Sequence, residues 1–285
     1  IMTNLLIVTF VVGVLGLGLG GVIGTLIGSI SKRFNAMLLS FSAGTMIALV
    51  CFELLHEAME SGADTALIAA AALIGAGLVS FLDYIIDRHS GHTHDFITCE
   101  GCDEEFEHDE NHRHCVEHGQ VTESHHHKKA SHLQLFLAGV MMAIGVAIHN
   151  IPEGMSIGAL YAEGGGRISG SLTVLLISIV MHNIPEGMAI ALPLFTSGMS
   201  KPRAALCAAA TGIPTVLGAL AGTSIGNMGA LGTALSLSFA AGTLLYVVFG
   251  EVLPQSINLY CSRKTAFSAI TGLIIGMLII GMHVH

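Results

Sequence analysis

Seven residues, HNIPEGM, occupy positions 149–155 and recur unchanged at 182–188, each copy inside an otherwise apolar stretch. On a helix, residues four apart lie one above the other, so His149 and Glu153 share a face, as do His182 and Glu186. Pro152 has no N–H for the carbonyl of Ile148 and its ring crowds that carbonyl, so a kink and a freed acceptor are expected there, with Gly154 giving room. Asn150 points about 100° round from His149, toward a second neighbour. The same reasoning applies to Asn183, Pro185 and Gly187. Two imidazoles, two carboxylates and two amides suit Zn2+ and its borderline neighbours Fe2+, Mn2+ and Co2+. They suit Mg2+ and Ca2+ poorly, since those ions prefer all-oxygen shells. One membrane histidine is as readily a packing residue, and one proline a kink. The doubled motif favours the functional reading, because an ionisable group in hydrocarbon is costly unless neutral, paired or metal-bound.

The surrounding chain is built to hold such groups in a bilayer. It has 285 residues, 52% hydrophobic and 11% charged, with 35 glycines and a mean hydropathy of +0.73. Soluble domains carry about 25% charged residues, so a soluble fold is excluded on composition. Apolar runs of bilayer-spanning length fall near 5–30, 36–58, 65–86, 134–160, 169–195, 204–225, 231–254 and 265–282. The fold class is therefore an all-α membrane protein with eight transmembrane helices. The first run lacks a basic flank and is too long for a cleaved leader, so it reads as a span. The organisation divides into helices 1–3 (1–86), a polar loop (87–132), central helices 4–5 (133–198) and helices 6–8 (199–285).

Basic residues orient the spans. Lys32, Arg33, Arg88, Arg113, Lys128, Lys129, Lys201, Arg203, Arg263 and Lys264 lie in one alternating set of loops, and only Arg167 in the other. The positive-inside rule then puts the first set in the cytoplasm and both termini outside, in a multi-pass protein of the plasma membrane. Between Asp87 and His132 lie 11 of the 20 acidic residues and 11 of the 16 histidines, which accounts for most of the net charge of −9. This segment cannot bury a core and should be disordered. Its "CEGC" (Cys99–Cys102), Cys115, His112 and His114 could ligate zinc, but no second CxxC stands at finger spacing, so a soft metal buffer is expected rather than a structured module.

A second repeat aligns without gaps: "FSAGTMIALVCFELLHEA" (41–58) with "FAAGTLLYVVFGEVLPQS" (239–256), matching Glu53 to Glu251. Both repeated pairs are an odd number of spans apart, so their members cross in opposite directions. That predicts a 3+2+3 inverted-repeat arrangement, the habit of secondary transporters, with the central pair as the interrupted helices and the site near the midplane. Glu53 and Glu251 would lie near opposite mouths and are not counted as ligands.

With HNxPEG in spans four and five and a histidine-rich loop before them, the chain resembles the ZIP (Zrt/Irt-like) metal transporters, of the bacterial GufA-like branch. The resemblance covers nearly the whole chain. It implies transport of Zn2+, and of Fe2+, Mn2+, Co2+ or Cd2+ in some members, into the cytoplasm through a two-metal centre between spans four and five. Carried over by motif, the first metal position takes His149, Glu153, His182 and Glu186, joined by a thioether for which Met46 in "AGTM" stands in the matching place. The second takes Asn150, Glu153, Asn183 and Glu186, with both glutamates bridging. Family members usually add a span-six glutamate within G-L-x-E-P-x-G. Here "GIPTVLG" (212–218) has Thr215 at that place, so the second position should bind less tightly. The implied partners are divalent cations, foremost Zn2+ as cargo, and the lipid bilayer. A homodimer is compatible with this reading, and no nucleic-acid partner is expected.

The alternative class is an intramembrane zinc metallohydrolase. Such enzymes need H-E-x-x-H, whose glutamate is the base. Asn150 and Asn183 occupy that place, and an amide cannot take the proton, so the expectation is a carrier and not an enzyme. A metal exporter, with six spans and His/Asp tetrads, fits neither count.

Overall fold

The computed structural model describes residues 2–28, 31–90 and 132–281. Among these residues eight helices are long and apolar enough to cross a membrane: α1 (Met2–Ile27), α2 (Arg33–Glu60), α3 (Thr65–Ile85), α4 (Leu135–Glu163), α5 (Gly170–Thr196), α6 (Lys201–Gly226), α7 (Ala230–Leu259) and α8 (Arg263–Gly281). The calls on Cys99, Cys102, His112, His114 and Cys115 fall outside the described residues.

Helix starts follow local chemistry. The Ser31 hydroxyl accepts from the Phe34 N–H at 3.2 Å ahead of α2, and Ser169 accepts from Leu172 at 3.2 Å ahead of α5. Asp64 accepts from Ala66 at 3.0 Å at the start of α3. These are N-caps, which cover backbone donors that have no partner within the helix. Large apolar side chains such as Leu73, Phe81, Leu206, Leu217 and Phe267 are left on the outside of the bundle.

Glycine sets how closely the helices approach. A Cβ on Gly154 or Gly158 of α4 would strike the carbonyls of Thr215 and Ala219 in α6, while one on Gly218 or Gly222 of α6 would strike those of Ile151 and Met155. Backbone thus meets backbone along the α4–α6 seam, as small residues allow in membranes. Equivalent seams join α1 to α5 (Gly20 on Ile184, Gly187 on Leu17), α2 to α8 (Gly44 on Ala269, Gly272 on Phe41) and α3 to α7 (Gly75 on Phe239, Gly242 on Ala72). Exchanging helix 1 with 6, 2 with 7, 3 with 8 and 4 with 5 turns each seam into another. The central helices α4 and α5 also pack on each other, with α7 against α4 and α2 against α5.

The interruptions are not where the prolines predict. α4 and α5 stay α-helical straight through Pro152, Pro185 and Pro193. The irregular turns are π-turns at Phe10–Leu15 in α1, Val50–Leu54 in α2 and Val247–Val252 in α7, together with a break at Thr211–Gly212 in α6. A proline deletes one N–H, and a helix held on both sides by neighbours continues past that loss. Changing the turn itself takes more. In α6 Pro214 lacks its N–H, and the N–H groups of Thr211, Gly212 and Thr215 go to carbonyls three residues back, those of Ala208, Ala209 and Gly212, so the α-bonds are broken on both sides of the proline.

Candidate metal centre

Both HNIPE segments face the bundle interior. His149 is 1% exposed, and Asn150, Glu153, His182, Asn183 and Glu186 are 0% exposed. The α4–α5 contact brings the two copies together, and the pairing runs between helices rather than along each one. His182 Nε2 lies 2.7 Å from Glu153 Oε1, and His149 Nε2 lies 3.4 Å from Glu186 Oε2. Sequence spacing puts each histidine above its own glutamate; the fold gives each glutamate the partner helix's histidine.

The asparagines reach outward from this cluster. Asn150 Nδ2 donates to Thr211 O in α6 at 2.7 Å, and Asn183 Nδ2 donates to Val12 O in α1 at 3.1 Å. Thr215 is fully buried, and its hydroxyl lies against Gly13 of α1. Met46 is fully buried in the apolar cluster shared by α2, α5 and α7, with Leu49, Ile179 and Leu244 among its members.

Eleven buried side-chain N and O atoms among the described residues have no hydrogen bond, and eight of them belong to these two segments: both ring nitrogens of His149, Nδ1 of His182, Oε2 of Glu153, both carboxylate oxygens of Glu186, and Oδ1 of Asn150 and Asn183. Two of the eight, His149 Nε2 and Glu186 Oε2, face each other in the 3.4 Å pair. Each such atom costs about 1–3 kcal/mol in a dry interior. A fold does not gather eight by accident of packing. Among the described residues no three His, Cys, Asp or Glu side chains stand as a group that could hold a metal ion without rearrangement. What exists is a set of nitrogen and oxygen donors, partly occupied in imidazole–carboxylate pairs, that a borderline cation could take over.

Two further glutamates in the bundle have no counterpart in the motif. The Glu251 carboxylate lies over Gly145, one turn before His149 on α4. Glu53 is only 6% exposed, with Oε1 unpartnered. Each sits in a π-turn, Glu53 in Val50–Leu54 and Glu251 in Val247–Val252. The gapless alignment marks both glutamates; an apolar run gives no sign that its turn has widened.

Eight membrane-length helices around two buried, adjoining His-Asn-x-Pro-Glu segments describe a multi-pass membrane protein. The family model for the ZIP zinc transporters matches residues 5–283, and the chain belongs to that family. It is 37% identical to the zinc transporter ZIPB of Bordetella bronchiseptica over 46% of this chain and 43% of that protein. It is 30% identical to the zinc transporter GufA of Myxococcus xanthus over 50% of this chain and 55% of that protein. It is 29% identical to the zinc transporter ZupT of Clostridium perfringens over 94% of this chain and 90% of that protein. The matches to ZIPB and GufA thus span about half of those relatives, whereas the ZupT match runs nearly end to end.

Proposed function

We propose that this protein carries divalent transition-metal cations, zinc foremost, across the plasma membrane into the cytoplasm through a centre between α4 and α5. The observation that carries this reading is the set of eight buried nitrogen and oxygen atoms of the two HNIPE segments that make no hydrogen bond. Family membership and three zinc-transporter relatives point the same way. His149, Glu153, His182 and Glu186 supply the first metal position, with Met46 a further ligand contributed by α2. Asn150, Glu153, Asn183 and Glu186 supply the second. Zinc arriving at the first position replaces the His182–Glu153 and His149–Glu186 contacts, exchanging two buried pairs for metal–ligand bonds. The matched glycine seams and the matched π-turns of α2 and α7 support a 3+2+3 inverted arrangement around this centre.

The asparagine after each histidine argues against hydrolysis, because it stands where a zinc protease keeps its base. Purified protein in liposomes, loaded with a zinc-sensitive dye, tests the reading. Dye response on adding Zn2+, lost in Glu153→Ala and Glu186→Ala, is the expected result. Peptide cleavage without zinc flux would point to the hydrolase instead.

A further inference from the structure

The bonds from Asn150 and Asn183 have a common origin. An α-helix would spend the Thr211 carbonyl on the N–H of Thr215, four residues on, but that N–H bonds Gly212 O. It would likewise spend the Val12 carbonyl on the N–H of Gly16, but that N–H bonds Val11 O and Gly13 O in the π-turn. In each break a carbonyl deprived of its helical donor accepts an asparagine NH2. The breaks touch one another: a Cβ on Gly212 would run into the backbone of Gly13, and one on Gly13 would meet Thr215 Oγ1 at 2.9 Å.

Chemistry fixes how each amide is turned. A carbonyl accepts and cannot donate, so the side-chain NH2 must face Thr211 or Val12 and the oxygen must face away. Both Oδ1 atoms are buried without a partner. One buried asparagine on a backbone carbonyl is ordinary packing. Two, in repeated motifs, each bound to a carbonyl whose own donor has been diverted, form a device.

We propose that the breaks in α1 and α6 are positioning elements for selectivity: by taking up the NH2 groups of Asn150 and Asn183 they present neutral carbonyl oxygens, and no anionic alternative, to the metal centre. This rests on the metal-carrier reading above. It inverts the expectation from charge. A carboxylate at position 150 or 183 should strengthen binding of a hard cation if the side chain is free to turn inward. With a backbone carbonyl 2.7 Å away at position 150 and nothing to donate to it, Asp instead meets lone pair with lone pair, and the carbonyl is left buried and unpaired.

The test is calorimetric titration of the full-length, detergent-solubilised protein with Zn2+ and Mn2+. Asn150→Asp should bind Mn2+ about tenfold more weakly than the natural protein, close to Asn150→Ala. The double variant Asn150→Asp/Pro214→Ala should recover most of that loss, because a continuous α6 lets the Thr215 N–H cover Thr211 O and frees the carboxylate to turn inward. Asn183→Asp, which loses the 3.1 Å bond to Val12 O, makes the same comparison should Asn150→Asp not fold. Mn2+ binding by either Asp variant equal to or tighter than that of the natural protein overturns the proposal while leaving the carrier reading intact. Unchanged Zn2+ stoichiometry in Glu153→Ala would instead bring down the carrier reading itself.

Discussion

In the proposed centre the glutamates carry more than the histidines do. Glu153 and Glu186 are fully buried, are assigned to both metal positions and pair with the opposite helix's histidine. Replacing either by alanine removes the only anionic ligand of its motif and strands an imidazole. Zn2+ affinity should fall at least about a hundredfold, a scale that loss of supporting groups around a metal already reaches, as read by titration. His149→Ala removes a neutral nitrogen and should lower the preference for Zn2+ over Mn2+ more than it lowers total binding, measured by competition between the ions. Thr215→Glu places a carboxylate where family members usually have one. Because the Thr215 hydroxyl lies against Gly13, the longer side chain must turn from that contact to reach the centre. Where it does, Mn2+ uptake should rise relative to Zn2+ in a radiotracer assay, and an unchanged ratio would remove Thr215 from the second position. The donor types were legible from two identical heptapeptides. The cross-helix pairing was not, because spacing along one helix says which residues share a face but not which helix that face meets.

At the scale of the element, glycine contacts decide stability. Gly154→Ala forces a methyl into the Thr215 carbonyl across the α4–α6 seam, and overpacking of this kind costs about 1–3 kcal/mol. Gly77 on α3 has nothing within 4 Å of where its Cβ would stand, so Gly77→Ala should be neutral or slightly stabilising. Thermal unfolding of the two variants in one detergent checks the contrast, and equal melting temperatures would show that the seam yields. The eight helices were readable from length and hydropathy, since hydrocarbon thickness fixes how long an apolar run must be. The sites of interruption were not. Proline is visible in sequence, and α4 and α5 absorb it; the widened turns of α1, α2 and α7 lie in runs such as "FVVGVL" and "VCFEL" that read as ordinary helix.

For the whole molecule, the open quantity is orientation. Ten of the eleven basic residues fall in alternating loops, and Arg33 stacks on Tyr260 at 5.4 Å, so two of these loops lie at one end of the bundle. Cys261 is exposed beside that end. In a variant that keeps Cys261 as its single cysteine, a membrane-impermeant thiol reagent should label inverted vesicles and leave intact cells unlabelled. Labelling of intact cells would reverse the assigned direction of both termini. The two repeats in the sequence match residues that the helix seams also use: Gly154 with Gly187 inside HNIPEGM, and Gly44 with Gly242 inside the longer alignment that pairs Glu53 with Glu251. The remaining seam glycines, such as Gly20, Gly75, Gly218 and Gly272, lie outside both repeats, and a glycine in a membrane helix is too common to mark its counterpart by itself.

The π-turn of α2 has a consequence for how this chain tolerates editing. A turn that closes on the fifth residue holds one residue more than a turn that closes on the fourth. Val50–Leu54 is therefore a place where a link can be taken out and both flanking stretches keep their rotation and height. Deleting Cys51, whose side chain is exposed, should leave a folded protein with a regular α2. Deleting Ile47, in the α-helical stretch before it, should swing every later residue of the helix about 100° out of place. A yield comparison by size-exclusion chromatography separates these outcomes, and it would identify the segment around Glu53 as a spare link in the chain that now carries a buried charge-bearing group.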